Sequence, residues 1–167
     1  MGKKEKKETK DSIEIIIETP KGSRNKYKYN EKKEIFKLDK ILPVGFSFPF
    51  DFGIIPKTKG DDGDPLDIIL ITQQSTFTGC HIDSRIVGGI KANQTEEGKT
   101  IRNDRFFAVP LCDDLYASVQ DVHDLPREMV NEIGEFFMAY HKLENVDFVP
   151  QSLLKAQEVK KIIKSSR

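Results

Sequence analysis

The 167-residue chain has no tryptophan, only two cysteines and no excess of charge of either sign. Cys80 and Cys112 stand far apart, so they form neither the CxxC pairs of a zinc ribbon nor a disulfide framework. Basic and acidic residues both total 27, whereas nucleic-acid binders carry a basic excess. No apolar run approaches the ~20 residues of a membrane span, and the N-terminus lacks the apolar stretch of a secretory signal. These absences predict a cytoplasmic protein that binds neither nucleic acid nor membrane.

The length and the composition predict one domain. Hydrophobic residues make up 37% of the chain, which is enough for a single core at this size. Residues 1–10 mix lysine with glutamate and contain no apolar residue after Met1, so they predict a flexible, lysine-rich lead-in. Residues 11–167 are then expected to form one folded domain.

Strand patterns fill the first two thirds of the chain. Ile13, Ile15 and Ile17 recur with period two, which is typical of a strand, and Pro20 ends the pattern. Turn-forming residues separate six further candidate strands, predicted at 26–29, 34–38, 45–50, 67–72, 81–90 and 106–109. Many short strands with turns between them indicate a sandwich or a small closed barrel.

Helical spacing begins after Pro110. Apolar residues fall three or four apart from Met129 to Leu143, with Asp124 as the expected N-cap and Pro126 in the first turn. A second amphipathic helix is predicted from about Ser152. Strands followed by helices predict an α+β fold whose main helices are C-terminal.

The segment DDGDPLD at 61–67 crowds several carboxylates into one turn before an apolar strand. Such like charges repel one another unless a hard cation binds them, and Mg²⁺ takes oxygen ligands. Gly63 and Pro65 would close the turn so that Asp62, Asp64 and Asp67 converge. A solvated acidic turn without a metal is the alternative.

Basic residues occur at other positions of the sequence, namely Lys26, Lys28, Lys40 and Arg105. By themselves they could form a solvated charged face. Together with the carboxylates they indicate a phosphoryl-transfer site, where metals hold oxygens and basic side chains neutralise charge.

Five segments in order resemble the soluble family I inorganic pyrophosphatases, and the resemblance runs from Glu18 to Glu144. The hexapeptide DGDPLD at 62–67 is that family's signature. The other segments are ETP with GSRNKY at 18–27, FPFDFGIIP at 48–56, DVHDLP at 121–126 and FFMAYHKLE at 136–144.

The resemblance implies both a fold and an activity. The expected fold is a small closed OB-like barrel of about five strands with flanking helices, in a chain that forms a homo-oligomer. The expected activity is hydrolysis of pyrophosphate to two phosphates by a metal-activated water. Several Mg²⁺ ions are the expected cofactor, and Mn²⁺ is expected to substitute for Mg²⁺.

Residue roles follow from the same resemblance. Asp62 and Asp67 match metal ligands, and Asp64 matches the carboxylate that takes a proton from the attacking water. Glu18 matches an acidic residue of the pocket. The positions that match substrate-binding residues are Lys26, Lys40, Arg105 and Tyr140.

The chain also departs from the family pattern. Lys28 replaces an outer acid, Phe48 and Phe52 replace two tyrosines, and His141 replaces a lysine. The two further acids expected of the family fall on Gln94 and Asn103, so Asp104 is expected to supply the missing metal ligand, with Glu96 and Glu97 as alternatives. A homologue that binds phosphate or nucleotide without hydrolysis is the second hypothesis.

Overall fold

Nine β-strands and two α-helices make up residues 11–167, the part of the chain that the computed structural model describes. The lead-in predicted at residues 1–10 lies outside the described residues. Within that part, no helix is long and apolar enough to cross a membrane. The elements in chain order are β1 (Ser12–Thr19), β2 (Asn25–Asn30), β3 (Ile35–Ile41), β4 (Asp51–Ile55), β5 (Leu66–Leu70), β6 (His81–Glu96), β7 (Lys99–Arg102), β8 (Arg105–Pro110), α1 (Arg127–Lys142), β9 (Asp147–Lys155) and α2 (Ala156–Ser165).

Five strands form a ring in the order β1, β4, β5, β8 and β6, and β6 pairs back with β1. The pairing of β5 with β8 is parallel, and the other pairings of the ring are antiparallel. Strands β7 and β9 extend the sheet beyond the ring by pairing with β6, while β2 and β3 form a separate hairpin. The predicted α+β class, with about five strands that close on themselves, is confirmed at this level.

Alternate residues of the ring strands face two different cores. Ile68 and Phe106 belong to one core and Ile69 and Phe107 to the other, as period-two side-chain alternation requires. Helix α1 covers the core of Ile69 and Phe107, and helix α2 covers the other. The buried helix residues in these cores are Val130, Ile133, Phe137 and Tyr140 of α1 and Val159 and Ile163 of α2.

A bulge at Gly88 allows the long strand β6 to pair with several other strands. The register of β6 against β8 shifts between Ile86 and Gly88, where the backbone has φ +141°. A Cβ atom at Gly88 would lie 2.5 Å from the Leu154 carbonyl oxygen and 2.7 Å from Cβ of Val122. Only glycine therefore permits this close approach of β6 to β9.

Two sequence-based element assignments are wrong. The strand predicted at 45–50 is irregular chain, and the strand begins at Asp51 instead. The helix predicted from Ser152 begins at Ala156, because Leu153 and Leu154 pair with Ile90 and Gly89 of β6 as strand residues. Hydrogen bonding to a neighbouring strand has overridden a helical apolar pattern.

The ends of two other elements also differ from the prediction. Strand β6, predicted over 81–90, runs to Glu96, and a tight hairpin at Glu97 and Gly98, both with positive φ, leads into β7. Asp124 does not cap helix α1. Its carboxylate accepts hydrogen bonds from the backbone N–H groups of Gln120 and Asp121, at a short 3-10 helix before α1.

Candidate active site

One cavity of about 300 Å³ lies between the acidic turn, the β2–β3 hairpin and helix α1. Most of the site residues predicted from the sequence line it. These residues are Glu18, Lys26, Asp62, Asp64, Asp67, Arg105 and Tyr140. The topology therefore brings together segments that are more than 100 positions apart in the chain.

The acidic turn is closed by its own backbone. The N–H of Gly60 donates to the Asp64 carbonyl oxygen at 2.8 Å, and the N–H of Asp64 donates to Oδ1 of Asp62 at 3.0 Å. Gly63 has φ +84°, a conformation that glycine adopts without strain. Asp67 follows in β5, in register with Ile54 of β4. This local structure brings three carboxylates to one wall of the cavity.

The carboxylate of Asp64 is paired with Lys28 at the mouth of the cavity. Nζ of Lys28 lies 2.7 Å from Oδ2 of Asp64, and about half of each side chain is exposed to solvent. The hydrogen bond to Asp64 raises the pKa of Lys28. An exposed pair of this kind contributes about 0–1 kcal/mol, so an incoming cation can displace it.

Arg105 forms a second, buried pair deeper in the cavity. Its Nη1 lies 2.7 Å from Oδ2 of Asp67 and donates to Oδ1 of Asn103 at 2.7 Å. The side-chain amide of Asn103 donates in turn to Oε1 of Gln94 at 2.6 Å. Burial raises the pKa of Asp67, and the charge of Arg105 opposes that shift. The arginine side chain is only 3% exposed, and that of Asp67 is 20% exposed.

His141 is a neutral neighbour of this arginine. Nη2 of Arg105 lies 2.9 Å from Nε2 of His141, and a guanidinium has no acceptor, so Nε2 accepts and Nδ1 carries the proton. Burial, followed by the charges of Arg105 and the nearby lysines, lowers the pKa of His141 to about 3. The imidazole is therefore a hydrogen-bond donor without charge at neutral pH.

The hairpin supplies the basic wall of the cavity. Lys26 and Lys40 are cross-strand partners, and each Nζ lies 5.6 Å from the centroid of the Tyr140 ring. Burial acts to lower the pKa of Lys26, but Tyr140 and nearby carboxylates outweigh it and raise that pKa. Lys40 does not line the cavity itself. It forms an ion pair with Glu144, which does.

Glu18 is a buried acid at the base of the hairpin. Its Oε1 accepts a hydrogen bond from the backbone N–H of Tyr29 at 2.7 Å. Burial raises the pKa of Glu18 to about 7, although the Tyr29 hydrogen bond acts in the opposite direction. This carboxyl is therefore partly protonated near neutral pH.

Three buried polar atoms in the cavity wall have no hydrogen-bond partner within residues 11–167. They are the Tyr140 hydroxyl, Nδ1 of His141 and Nε of Arg105. A buried polar group without a partner costs about 1–3 kcal/mol. Each is a donor, so the oxygens of a bound anion would satisfy them.

Asp104 does not line this cavity. Its Oδ1 accepts from the Ala92 N–H at 3.1 Å, and its Oδ2 accepts from Nε of Arg102 at 2.8 Å. Asp104 lines only a neighbouring hollow, while Asn103 lines both that hollow and the cavity. Of the two acids that the sequence offered as alternatives to Asp104, Glu96 lines the cavity and Glu97 does not.

Glu144 is the main cavity residue that the sequence did not assign. It follows His141 by three positions at the end of α1 and forms the ion pair with Lys40. The spacing of three from His141 is one helical turn, which is the signal that could have revealed it.

A family model described as inorganic pyrophosphatase matches residues 15–167. The chain belongs to the inorganic pyrophosphatase family. The inorganic pyrophosphatase of a Synechocystis strain is 39% identical over 132 residues, which are 79% of this chain and 76% of that protein.

Solved structures of family members agree. The inorganic phosphatase of Anaplasma phagocytophilum superposes with a TM-score of 0.86 at 28% identity, covering 96% of this chain and 94% of that one. The inorganic pyrophosphatase of Neisseria gonorrhoeae superposes with a TM-score of 0.84 at 33% identity, covering 93% of this chain and 89% of that one. The family resemblance that rested on five sequence segments is thereby confirmed.

Proposed function

We propose that this chain hydrolyses inorganic pyrophosphate to two phosphates with the help of Mg²⁺, for which Mn²⁺ can substitute. The observation that carries the proposal is that carboxylates and basic side chains meet in one cavity. Asp62, Asp64 and Asp67 line it together with Lys26 and Arg105. Carboxylates suit hard cations, and basic side chains suit the oxygens of a phosphoanhydride.

The donor set fits a divalent metal ion in its chemistry. Within residues 11–167, no three His, Cys, Asp or Glu side chains are already gathered as a metal site. Two of the three carboxylates instead hold Lys28 and Arg105. Asp62 and Oδ1 of Asp67 are available to a cation, and the Lys28 pair is exposed and weak, so Lys28 can leave Asp64 when that cation binds. When bound, such an ion would neutralise phosphate charge and lower the pKa of water toward neutrality.

The protein groups then have distinct tasks. Asp64, once released from Lys28, accepts the proton of the attacking water. Lys26 neutralises the charge that develops on the phosphate oxygens, and Lys40, its cross-strand partner outside the cavity lining, adds positive charge behind it. Tyr140 and His141 donate hydrogen bonds to those oxygens from groups that otherwise have no partner within residues 11–167.

Three finer assignments belong to the same proposal. The five-stranded ring is an OB-like barrel, and the chain assembles as a homo-oligomer. The predicted cytoplasmic location stays a prediction.

Phosphate release from pyrophosphate by the purified full chain tests the activity, with and without Mg²⁺. We expect clear Mg²⁺-dependent release. Loss of a general base typically costs about 10²–10⁴-fold, so we expect Asp64→Asn to lower turnover by that factor. Asp61→Asn is the matched control, because Asp61 lies in the same turn but does not line the cavity. No release with either Mg²⁺ or Mn²⁺, combined with binding of pyrophosphate, would favour a homologue that binds without hydrolysis.

A further inference from the structure

The guanidinium of Arg105 is fixed on the acidic turn from several sides. Its Nη1 lies 2.7 Å from Oδ2 of Asp67, and its Nη2 lies 2.9 Å from Nε2 of His141. The rings of Phe137 and Phe148 lie with their centroids 4.8 and 5.0 Å from Cζ. The group is buried and held in its plane, so it cannot swing out of the cavity as an exposed lysine can.

Two residues beside Arg105, Asn103 and Gln94, are amides where the family resemblance implies acids. Asn103 accepts from Nη1 at 2.7 Å and donates to Gln94 at 2.6 Å. An amide carries no charge, so Asn103 and Gln94 do not repel each other and need no divalent cation between them. Asn103 instead accepts a hydrogen bond from the single positive charge of Arg105, which is part of the chain.

The other cation at the acidic turn behaves differently. Lys28 pairs with Asp64 at 2.7 Å, but about half of each of these side chains is exposed. A metal ion can compete with Lys28 for Asp64, because an exposed pair contributes little. It cannot compete in the same way for Oδ2 of Asp67, because removing one partner of a buried pair leaves an uncompensated charge.

We infer that Arg105 takes the place of one divalent cation at Oδ2 of Asp67. The cavity consequently binds one metal ion fewer than it would bind without this positive charge, and Oδ1 is the oxygen of Asp67 that remains for a metal. The inference rests on the proposed function because it concerns the metal content of the same cavity.

Mn²⁺ binding to the full chain tests the inference without pyrophosphate. Free Mn²⁺ is counted by electron paramagnetic resonance, and isothermal titration calorimetry gives the affinity. We expect Arg105→Met and Arg105→Gln each to bind one more Mn²⁺ per chain than the parent. Arg105→Lys keeps the charge and should retain the parent number. Arg85→Met is the control, because Arg85 donates only to the backbone carbonyls of Tyr116, Ala117 and Val119 among the described residues, and it should also retain that number.

Circular dichroism verifies that each variant is folded, and the unmodified chain provides an independent measurement. Nitrogen-15 NMR follows the Arg105 guanidinium while diamagnetic Mg²⁺ is added to saturation. We expect separate Nη signals throughout, because both nitrogens stay hydrogen-bonded. Merging of these signals on Mg²⁺ addition would show that the metal displaces Arg105 and would overturn the inference.

An unchanged Mn²⁺ number in folded Arg105→Met and Arg105→Gln would also overturn it. Hydrolysis is assayed separately. The expected Mn²⁺ numbers in a chain that releases no phosphate would refute the proposed function and still support the role of Arg105.

Discussion

Glu18 and His141 show how burial controls single residues of the cavity. Burial disfavours the charged form of each group, which raises the pKa of the carboxyl to about 7 and lowers that of the imidazole to about 3. Near neutral pH, His141 is therefore uncharged and Glu18 is only partly charged. The same cavity contains the ion pairs of Asp64 with Lys28 and of Asp67 with Arg105.

Glu18→Gln should alter how stability depends on pH. In the parent, the folded-state pKa of about 7 lies above the ordinary 4.5, so the folded state binds more protons between those values and stability falls as pH rises. The glutamine side chain would still accept the hydrogen bond from the Tyr29 N–H without this penalty. We expect equal free energies of unfolding near pH 4.5 and a variant more stable by up to about 3 kcal/mol at pH 8.

Urea unfolding at both pH values, with a metal chelator present, measures this difference. Thr78→Val is a control at a neighbouring group, because Thr78 donates to the Glu18 carbonyl oxygen but has no charge to titrate. A variant that is less stable than the parent at pH 8 would contradict the expected direction.

Asp104, Glu96 and Glu97 are expected to differ in their effect on metal affinity. Asp104 is occupied by Arg102 and the Ala92 N–H, so Asp104→Ala should lower stability by about 1–3 kcal/mol and leave the Mg²⁺ requirement unchanged. Glu96 faces the cavity, so Glu96→Ala should raise the Mg²⁺ requirement by about 10–100-fold. A Mg²⁺ titration of phosphate release compares the variants, with Glu97→Ala as the control. If Asp104→Ala raised the Mg²⁺ requirement more than Glu96→Ala, Asp104 would be the metal ligand, as the sequence predicted.

At the scale of elements, strand β6 organises the site. It closes the ring with β1, and it also pairs with β7, β8 and β9. Its far end positions Gln94 and Glu96 at the cavity, and β8 begins at Arg105 beside them. The bulge at Gly88 makes these pairings compatible, because it brings β9 within contact of the β6 backbone.

Gly88→Ala should therefore destabilise the fold. The positive φ carries a strain of about 1–3 kcal/mol for a non-glycine residue, and the close contact with Leu154 and Val122 adds about 1–3 kcal/mol of overpacking. Gly98→Ala is the matched control, because Gly98 also has positive φ but has no atom within 4 Å of the position that an alanine Cβ would take. Urea unfolding should show the larger loss at Gly88. Equal losses at the two positions would contradict the role of the close contact.

At the scale of the whole molecule, exposed apolar side chains support the proposed homo-oligomer. Four large apolar side chains of helix α1, its C-terminal end and strand β9 are exposed, namely Met138, Leu143, Val149 and Leu153. Burial of apolar area contributes about 25 cal/mol per Å², so a second chain would gain stability by covering such side chains.

Sedimentation velocity should give a mass that is a multiple of the 19.1 kDa chain. We expect Val149→Lys to lower that mass, because a charge in the contact must be desolvated. Leu115→Lys, on a short 3-10 helix elsewhere on the surface, is the control. A parent that sediments as a single chain would refute the homo-oligomer.

Local patterns determined much of this protein. Period-two alternation identified β1, three-to-four spacing identified α1, and ordered motifs identified the family and most of the cavity lining. These features depend on neighbours in the chain and on residue chemistry, so they can be predicted from the sequence alone. The DGDPLD turn is the clearest case, because its glycine and its internal hydrogen bonds are local.

Only the tertiary structure decided which residues line the cavity and which of them form pairs. Leu153 and Leu154 form a strand because β6 offers hydrogen bonds there, whatever their helical spacing. Asn103 rather than Asp104 faces the cavity because the path of the chain into β8 sets the side on which each residue lies. The Arg105–Asp67 pair joins residues 38 positions apart on parallel strands, and its burial follows from the aromatic rings of α1 and β9. Such long-range contacts depend on how whole elements pack, which no local pattern encodes.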